Sequence, residues 1–265
     1  MLRRLAWPLL LALAVSVPAA CGVRLGGEVQ LTVYGAASLR DALTDAAGAY
    51  ELDNPGVSMS VAFDASSALR TQIEQGAPGD VFASADTANP QALVDAGLAI
   101  GPVTPFARNR LTIVVPADNP AAIRDPRDLA RHGVRVVGAG EAVPITRYVG
   151  ACLEKLAALP GYPAGYAAAV EANVVSREDN VRAALTKVEL GEADAAIVYV
   201  TDAASSDATE EVAIADAANV EAVYGAVAIG ASTHPPEAAA FVAWLAGLRG
   251  SAILAKFGFL GPAGG

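Results

Sequence analysis

The stretch Gln30-Leu31-Thr32-Val33-Tyr34-Gly35-Ala36-Ala37-Ser38-Leu39 decides the fold. Residues 30–34 read as a strand, residues 39–50 as a helix, and Gly35-Ala36-Ala37-Ser38 as the turn that joins them. The same unit repeats outward along the chain. Residues 57–63 form a period-2 strand followed by a helix over 67–75. Residues 80–83 are a short buried strand, and 89–96 a helix ended by Gly97. Strands alternating with crossovers of helical length imply a parallel sheet covered on both faces.

A second set begins at the β-branched strand 110–115, closed by Pro116. It continues with a helix at 126–130, a strand at 134–137 and a helix at 144–157. Residues 159–165 hold two prolines and two glycines and read as a loop. Then come a strand at 172–175, a helix at 180–189, and strands at 195–200 and 222–229. The chain ends in helices at 237–248 and 251–257. The expectation is an α/β protein of two lobes, with the strands near 108–115 and 222–229 as paired crossings between them. Alternation of this kind fits many enzymes equally well, so function has to come from particular residues.

The first 21 residues stand apart from this pattern. Arg3 and Arg4 form a positive start, residues 5–17 an apolar stretch, and Pro18-Ala19-Ala20 a small-residue site before Cys21. This is the pattern of an export signal. The apolar run is shorter than the ~20 residues a spanning helix needs, and Pro8 interrupts it. Cys21 after Ala19-Ala20 resembles a bacterial lipoprotein cleavage box, although Pro18 departs from the usual apolar residue there. Lipidation of Cys21 is the favoured reading and plain cleavage the alternative. The division expected is therefore a leader at 1–21, a tether at 22–27, lobe 1 at 28–108 plus 228–265, and lobe 2 at 109–227.

Composition excludes several classes. Net charge is −10, and loss of the leader removes two arginines and no acid. A nucleic-acid partner needs a basic footprint and is excluded. An anionic ligand is not, because dipoles and hydrogen bonds in a closed site hold an ion whatever the global charge. The two cysteines, Cys21 and Cys152, leave a disulfide open unless Cys21 carries lipid, in which case Cys152 is a small core residue. With only His132 and His234, no bare-cation metal site and no cofactor are expected. A secreted serine hydrolase is the competing class. Neither Ser38 nor Ser66 lies in a Gly-x-Ser-x-Gly elbow, and neither histidine has an evident triad partner.

Four turns place a Gly, Pro or hydroxyl residue between a strand end and a helix start: 35–38, 64–67, 140–144 and 177–180. Ligands of open α/β sheets sit beyond the carboxyl ends of strands. First-turn N–H groups there are unpaired and carry partial positive charge. Four such termini converging from two lobes would make a site of donors, suited to an oxyanion. Taken singly, Ser38 (with Asp41 three residues on) and Ser66 read as ordinary helix caps. Tyr199 reads as a core aromatic with a wetted tip.

Over about residues 28–260 the chain resembles the molybdate-binding proteins of bacterial molybdate ABC transporters. The resemblance rests on Val33-Tyr-Gly-Ala-Ala-Ser-Leu39, Phe63-Asp-Ala-Ser-Ser-Ala-Leu69, and Gln72-Ile-Glu-Gln-Gly-Ala-Pro-Gly-Asp-Val-Phe82 running into Ser84-Ala-Asp86. To these are added Val143-Pro144, Asn180-Val-Arg182, Ile197-Val-Tyr199, Thr201-Asp-Ala203 and Phe257-Gly-Phe259. The order and spacing of the set are specific where each piece alone is weak.

The resemblance implies a type II periplasmic-binding-protein fold, each lobe a mixed, mostly parallel sheet flanked by helices. It implies five ligand residues: Ser38 and Ser66 through hydroxyls and backbone, Ile145 and Val181 through backbone N–H, and Tyr199 through its phenol. That makes about seven donors and no cationic side chain. It further implies a monomeric, non-enzymatic receptor for molybdate and tungstate, delivering its ion to the membrane permease of an ABC importer. The protein would be extracytoplasmic, touching the membrane only through lipid on Cys21. Sulfate is the alternative ligand. Two departures stand out. Ile145 replaces a family alanine, and Arg147 follows it closely enough to approach the site. Asp64 and Glu141 are nearby acids that would offer acceptors to a protonated phosphate.

Overall fold

The structure, a computed structural model, describes residues 28–262. The leader, Cys21 and the tether lie outside the described residues. In chain order the elements begin with β1 (Val29–Ala36), a 3-10 turn (Ala37–Leu39), α1 (Arg40–Asp53), β2 (Val57–Asp64) and α2 (Ser66–Glu74). They continue with β3 (Val81–Ser84), α3 (Ala88–Asp95), β4 (Ala99–Asn109) and β5 (Leu111–Pro116). After a second 3-10 turn (Pro126–Ala130) come β6 (Val136–Ala139), α4 (Pro144–Ala157), α5 (Tyr166–Ala172), β7 (Val174–Glu178) and α6 (Val181–Glu189). The remainder is β8 (Ala195–Tyr199), α7 (Val200–Ala203), β9 (Thr209–Val212), β10 (Ala222–Ile229), α8 (Pro235–Ala246) and α9 (Leu248–Lys256).

Two five-stranded mixed sheets organise the molecule, with strand orders β2-β1-β3-β10-β4 and β7-β6-β8-β5-β9. In the first, β1 runs parallel to β2 and β3, while β10 is antiparallel to β3 and β4. In the second, β6 is parallel to β7 and β8, and β5 is antiparallel to β8 and β9. Each sheet with its helices is one lobe of a two-lobed type II fold.

The chain crosses between the sheets twice, and the crossings are tied together. Asn109 ends β4 and Leu111 starts β5, while Asn219 to Ala222 leads the chain back into β10. The Asn219 amide accepts from the Leu111 N–H at 3.0 Å and donates to the Leu111 carbonyl at 2.8 Å. One side chain thus acts as a short strand partner for the opposite crossing. Arg108 adds an ion pair with Glu221 at 2.8 Å.

Local chemistry explains how β1 delivers its turn. Leu31 and Val33 are fully buried, and a Cβ on Gly35 would stand 2.6 Å from Leu43 and 2.9 Å from Phe63. Only glycine lets α1 and β2 close on the strand end there. The other face of α1 packs against α8 through Tyr50, whose ring meets Phe241 at 5.0 Å and Trp244 at 5.2 Å, both edge-on. The C-terminal helices accordingly sit on the first sheet.

Several elements differ from the sequence expectation. The long strand β4 was obscured by Gly101, Pro102 and Pro105. It is an edge strand, where missing donors are tolerated, and β10 pairs with it through two irregular registers. Helix α5 occupies residues 166–171, where no element is expected, and Ala172, expected as strand, so β7 begins at Val174 rather than 172. Its anchor is Tyr166, fully buried, with its hydroxyl donating to the Pro126 carbonyl at 2.6 Å. Short α7 and β9 lie in a stretch that carries no clear periodicity.

Candidate functional site

The carboxyl ends of β1, β2, β6, β7 and β8 open toward the gap between the sheets, and the turns beyond them line one small cavity. Ser38, Ser66, Ile145, Val181 and Tyr199 all contribute to its wall. Ala36, Ala37, Ala65, Ala85, Val143, Pro144 and Asn180 complete it. The cavity is small: the space open to the centre of a water-sized sphere is about 10 Å³. That is far below the range of pockets for drug-sized ligands.

Ser38 lies in the 3-10 turn after β1 and is 3% exposed. Its Oγ is 2.9 Å from the Tyr224 hydroxyl, which the Asn109 amide approaches at 3.5 Å. The Asn109 amide donates at shorter range to Thr201 Oγ1, at 2.8 Å. With the amide donating and Tyr224 passing its hydrogen to Ser38, the Ser38 hydrogen is left to point into the cavity. Ser66 is the first residue of α2, with Ala65 at the cap position and no side-chain cap bond. Its Oγ accepts from the Ala85 N–H at 3.0 Å, so its hydrogen too is free for a ligand. Neither serine is a helix cap. The Asp41 carboxylate that would have completed a capping box with Ser38 instead pairs with Arg182 at 2.7 Å.

Val181 and Ile145 offer backbone. Helix α6 is capped by Asn180, whose side-chain oxygen accepts from Ala183 N–H at 3.0 Å. The N–H of Val181, one residue into the helix, therefore has no acceptor within it. Had Ser176 been the cap, that N–H would be spent. Ser176 instead lies in β7 and bonds Glu178. In α4, Pro144 takes the first helical position, where its missing N–H costs nothing, and Ile145 follows with an unpaired first-turn N–H. Ile145 is buried in the core and also lines a second, mostly apolar hollow with Val149, Leu153 and Ile197.

Tyr199 ends β8 and is 1% exposed, and its phenol oxygen has no hydrogen-bond partner in the protein. A buried hydroxyl left unpaired is costly, and this one is free to pair with a group entering the cavity. Burial holds the phenol well above its usual range, reinforced by Tyr224, Tyr148, Asp202 and Asp86. It is a donor at neutral pH.

No Lys, Arg, Asp, Glu or His lines the cavity. Asp64 accepts from its neighbour Ala65 N–H at 2.7 Å and faces Asn180 at 3.4 Å, and Glu141 is exposed. Arg147 lies over the Tyr148 ring, 3.6 Å from Asp86, and does not enter the site. Among the described residues no three His, Cys, Asp or Glu side chains cluster as a cation site. Asp80 stands 3.7 Å from His234, but the Ser232 hydroxyl bonds Asp80 and not the imidazole, so this trio lacks the order of a triad. Sequence reasoning missed Tyr224, Asn109 and the Ala85 N–H. They are distant in sequence from the serines they orient, and no local signal marks them.

Comparison with known proteins accords with this geometry. Residues 31–260 match the sequence family described as bacterial extracellular solute-binding protein. The molybdate-binding protein ModA of Mycobacterium tuberculosis H37Rv is 38% identical over 237 residues, spanning 89% of this chain and 86% of that protein. ModA of Escherichia coli K12 is 32% identical over 264 residues, spanning 96% and 97%. Among solved structures, the periplasmic molybdate-binding protein of Azotobacter vinelandii superposes with a TM-score of 0.73 at 23% identity, covering 88% of this chain and 99% of that one. The sulfate-binding protein SubI of Mycobacterium tuberculosis superposes at 0.77 with 20% identity, covering 89% and 88%. These two likenesses speak for the fold alone, and the fold does not choose the ion. Family membership rests on the sequence matches: the chain belongs to the bacterial extracellular solute-binding proteins, in company with the molybdate-binding proteins of Mycobacterium tuberculosis and Escherichia coli.

Proposed function

We propose that the protein binds molybdate outside the cytoplasm and delivers it to an ABC importer. The observation that carries this reading is the cavity between the lobes, walled by donors and small apolar residues and free of charged side chains. A bare dianion is stabilised there by hydroxyls and helix N-termini. Ser38 and Ser66 on one lobe and Ile145, Val181 and Tyr199 on the other donate to it, so the ion joins the lobes as they close. Hydrogen phosphate carries a proton at neutrality and finds no free acceptor, since Asp64 and Glu141 stand off the wall. Tungstate has the same charge and nearly the same size and binds equally well. Sulfate is smaller and is held loosely.

The protein works as a monomer without catalysis, tethered by lipid on Cys21, and its closed form is what the permease receives. Titration calorimetry of the exported protein with molybdate, tungstate, sulfate and phosphate tests the reading. Tight one-to-one binding of the first two, with weak sulfate and no phosphate binding, is expected. Preference for sulfate would keep the architecture and discard the ligand.

A further inference from the structure

Three of the five cavity residues are followed closely by members of a single ion-pair cluster. Asp41 stands three residues after Ser38, Arg182 one after Val181, and Asp202 three after Tyr199. The Arg182 guanidinium donates through Nη2 to Asp41 at 2.7 Å and through Nε to Asp202 at 2.6 Å. Asp41 belongs to α1 of the first lobe, whereas Arg182 and Asp202 belong to α6 and α7 of the second. One side chain therefore holds a partner in its own lobe and reaches another across the gap.

The two halves of the cluster differ in kind. Asp202 is fully buried, and its Oδ2 has no partner, so its charge depends on Arg182. That pair lies within the second lobe and holds the guanidinium without help from the first. Asp41 is 44% exposed on its side chain and is the one member on the first lobe. At the crossing strands Asn109 donates to Thr201 at 2.8 Å. Two polar contacts to aspartate also cross the gap, Asn180 to Asp64 at 3.4 Å and Arg147 to Asp86 at 3.6 Å, both longer than the Arg182–Asp41 bond. These two and the Arg182–Asp41 bond run from nitrogen on the second lobe to aspartate on the first.

We propose that Arg182 is the positioning residue of closure: preset by Asp202, it clasps Asp41 and so brings Ser38 into register with the Val181 N–H and the Tyr199 hydroxyl. The inference rests on the ligand reading above for what is held, but the clasp itself does not require a ligand. A guanidinium is suited to the role because its fork reaches two carboxylates at once, and a lysine ammonium cannot span them.

The test uses Asp41→Ala, on a half-exposed helix position, with Arg182→Lys as the companion variant. Small-angle scattering of the ligand-free exported protein reports the gap between lobes, and stopped-flow dilution reports molybdate release. The expected result for Asp41→Ala is a larger radius of gyration and release faster on the order of tenfold, with unchanged helical circular dichroism. Arg182→Lys shifts both readouts the same way, because charge without the fork does not restore the clasp. Wild-type compactness and wild-type release in Asp41→Ala would overturn the proposal. If the wild-type protein binds no molybdate, the ligand reading falls, while the ligand-free scattering comparison still judges the clasp.

Discussion

The Ser38 hydroxyl lies 2.9 Å from the hydroxyl of Tyr224, a residue 186 positions away on the last strand of the same sheet. Tyr224 is fully buried, and Asn109, at the crossing between lobes, backs it. This cavity-lining serine is thus oriented from behind by a hydroxyl and an amide. Tyr224→Phe removes the orienting group and keeps the ring. Calorimetry should find molybdate binding weaker by about 1 kcal/mol, against ~1–3 kcal/mol for Ser38→Ala or Ser66→Ala, which lose the donor itself. An unchanged affinity in Tyr224→Phe would assign the contact to packing alone.

Tyr199→Phe separates stability from binding. The phenol oxygen is buried without a protein partner, so removing it relieves an unsatisfied group in the ligand-free protein. Thermal melting without ligand should stay level or rise, while the extra stability conferred by molybdate shrinks. A fall in the ligand-free melting temperature would mean the hydroxyl has a structural role.

Ile145→Ala does the reverse. Ile145 is 2% exposed and part of the buried core, while its N–H, the proposed ligand group, survives the change. Denaturant unfolding should show a loss of about 2–5 kcal/mol, the usual cost of truncating a buried Ile. Molybdate affinity measured below the melting range should change little. A large affinity change would place the side chain, not the backbone, at the ion.

Asp202 makes stability depend on pH in an uncommon direction for a carboxylate. Burial pushes its pKa up to about 6, against the pull of Arg182. A raised acid binds its proton more tightly in the folded state, so its contribution is full below the unfolded value near 4 and is lost as pH rises through about 6. Asp125 and Asp194 are held below the usual range, chiefly by the arginines beside them, and act with the opposite sign. The difference between wild type and Asp202→Asn isolates the term. Measured by urea unfolding, that difference should move against the wild type by roughly 2 kcal/mol between pH 4 and pH 7, a scale set by ~1.4 kcal/mol per pKa unit. A flat difference would mean Arg182 compensates the burial completely.

What the sequence determined by itself was the alternation of elements and the chemistry of the turns. Apolar period and breakers mark β1 and α1, and Pro144 opens α4 at the expected residue, because these signals are local. The exceptions follow the same logic. Prolines in β4 hide a strand whose hydrogen bonds come from β10, more than a hundred residues on. The resemblance named Ser38, Ser66, Ile145, Val181 and Tyr199, and the tertiary structure decided how each stands. Ser66 is a helix residue held by Ala85, Ser38 is aimed by Tyr224, and Val181 is free because Asn180 caps α6. Arg147, adjacent to the site in sequence, is drawn aside by Asp86 and the Tyr148 ring. Arg182 clasps a carboxylate 141 residues away. Periodicity records what a residue does with its neighbours along the chain. Orientation of a donor and the meeting of two lobes depend on groups that only the completed sheets bring together.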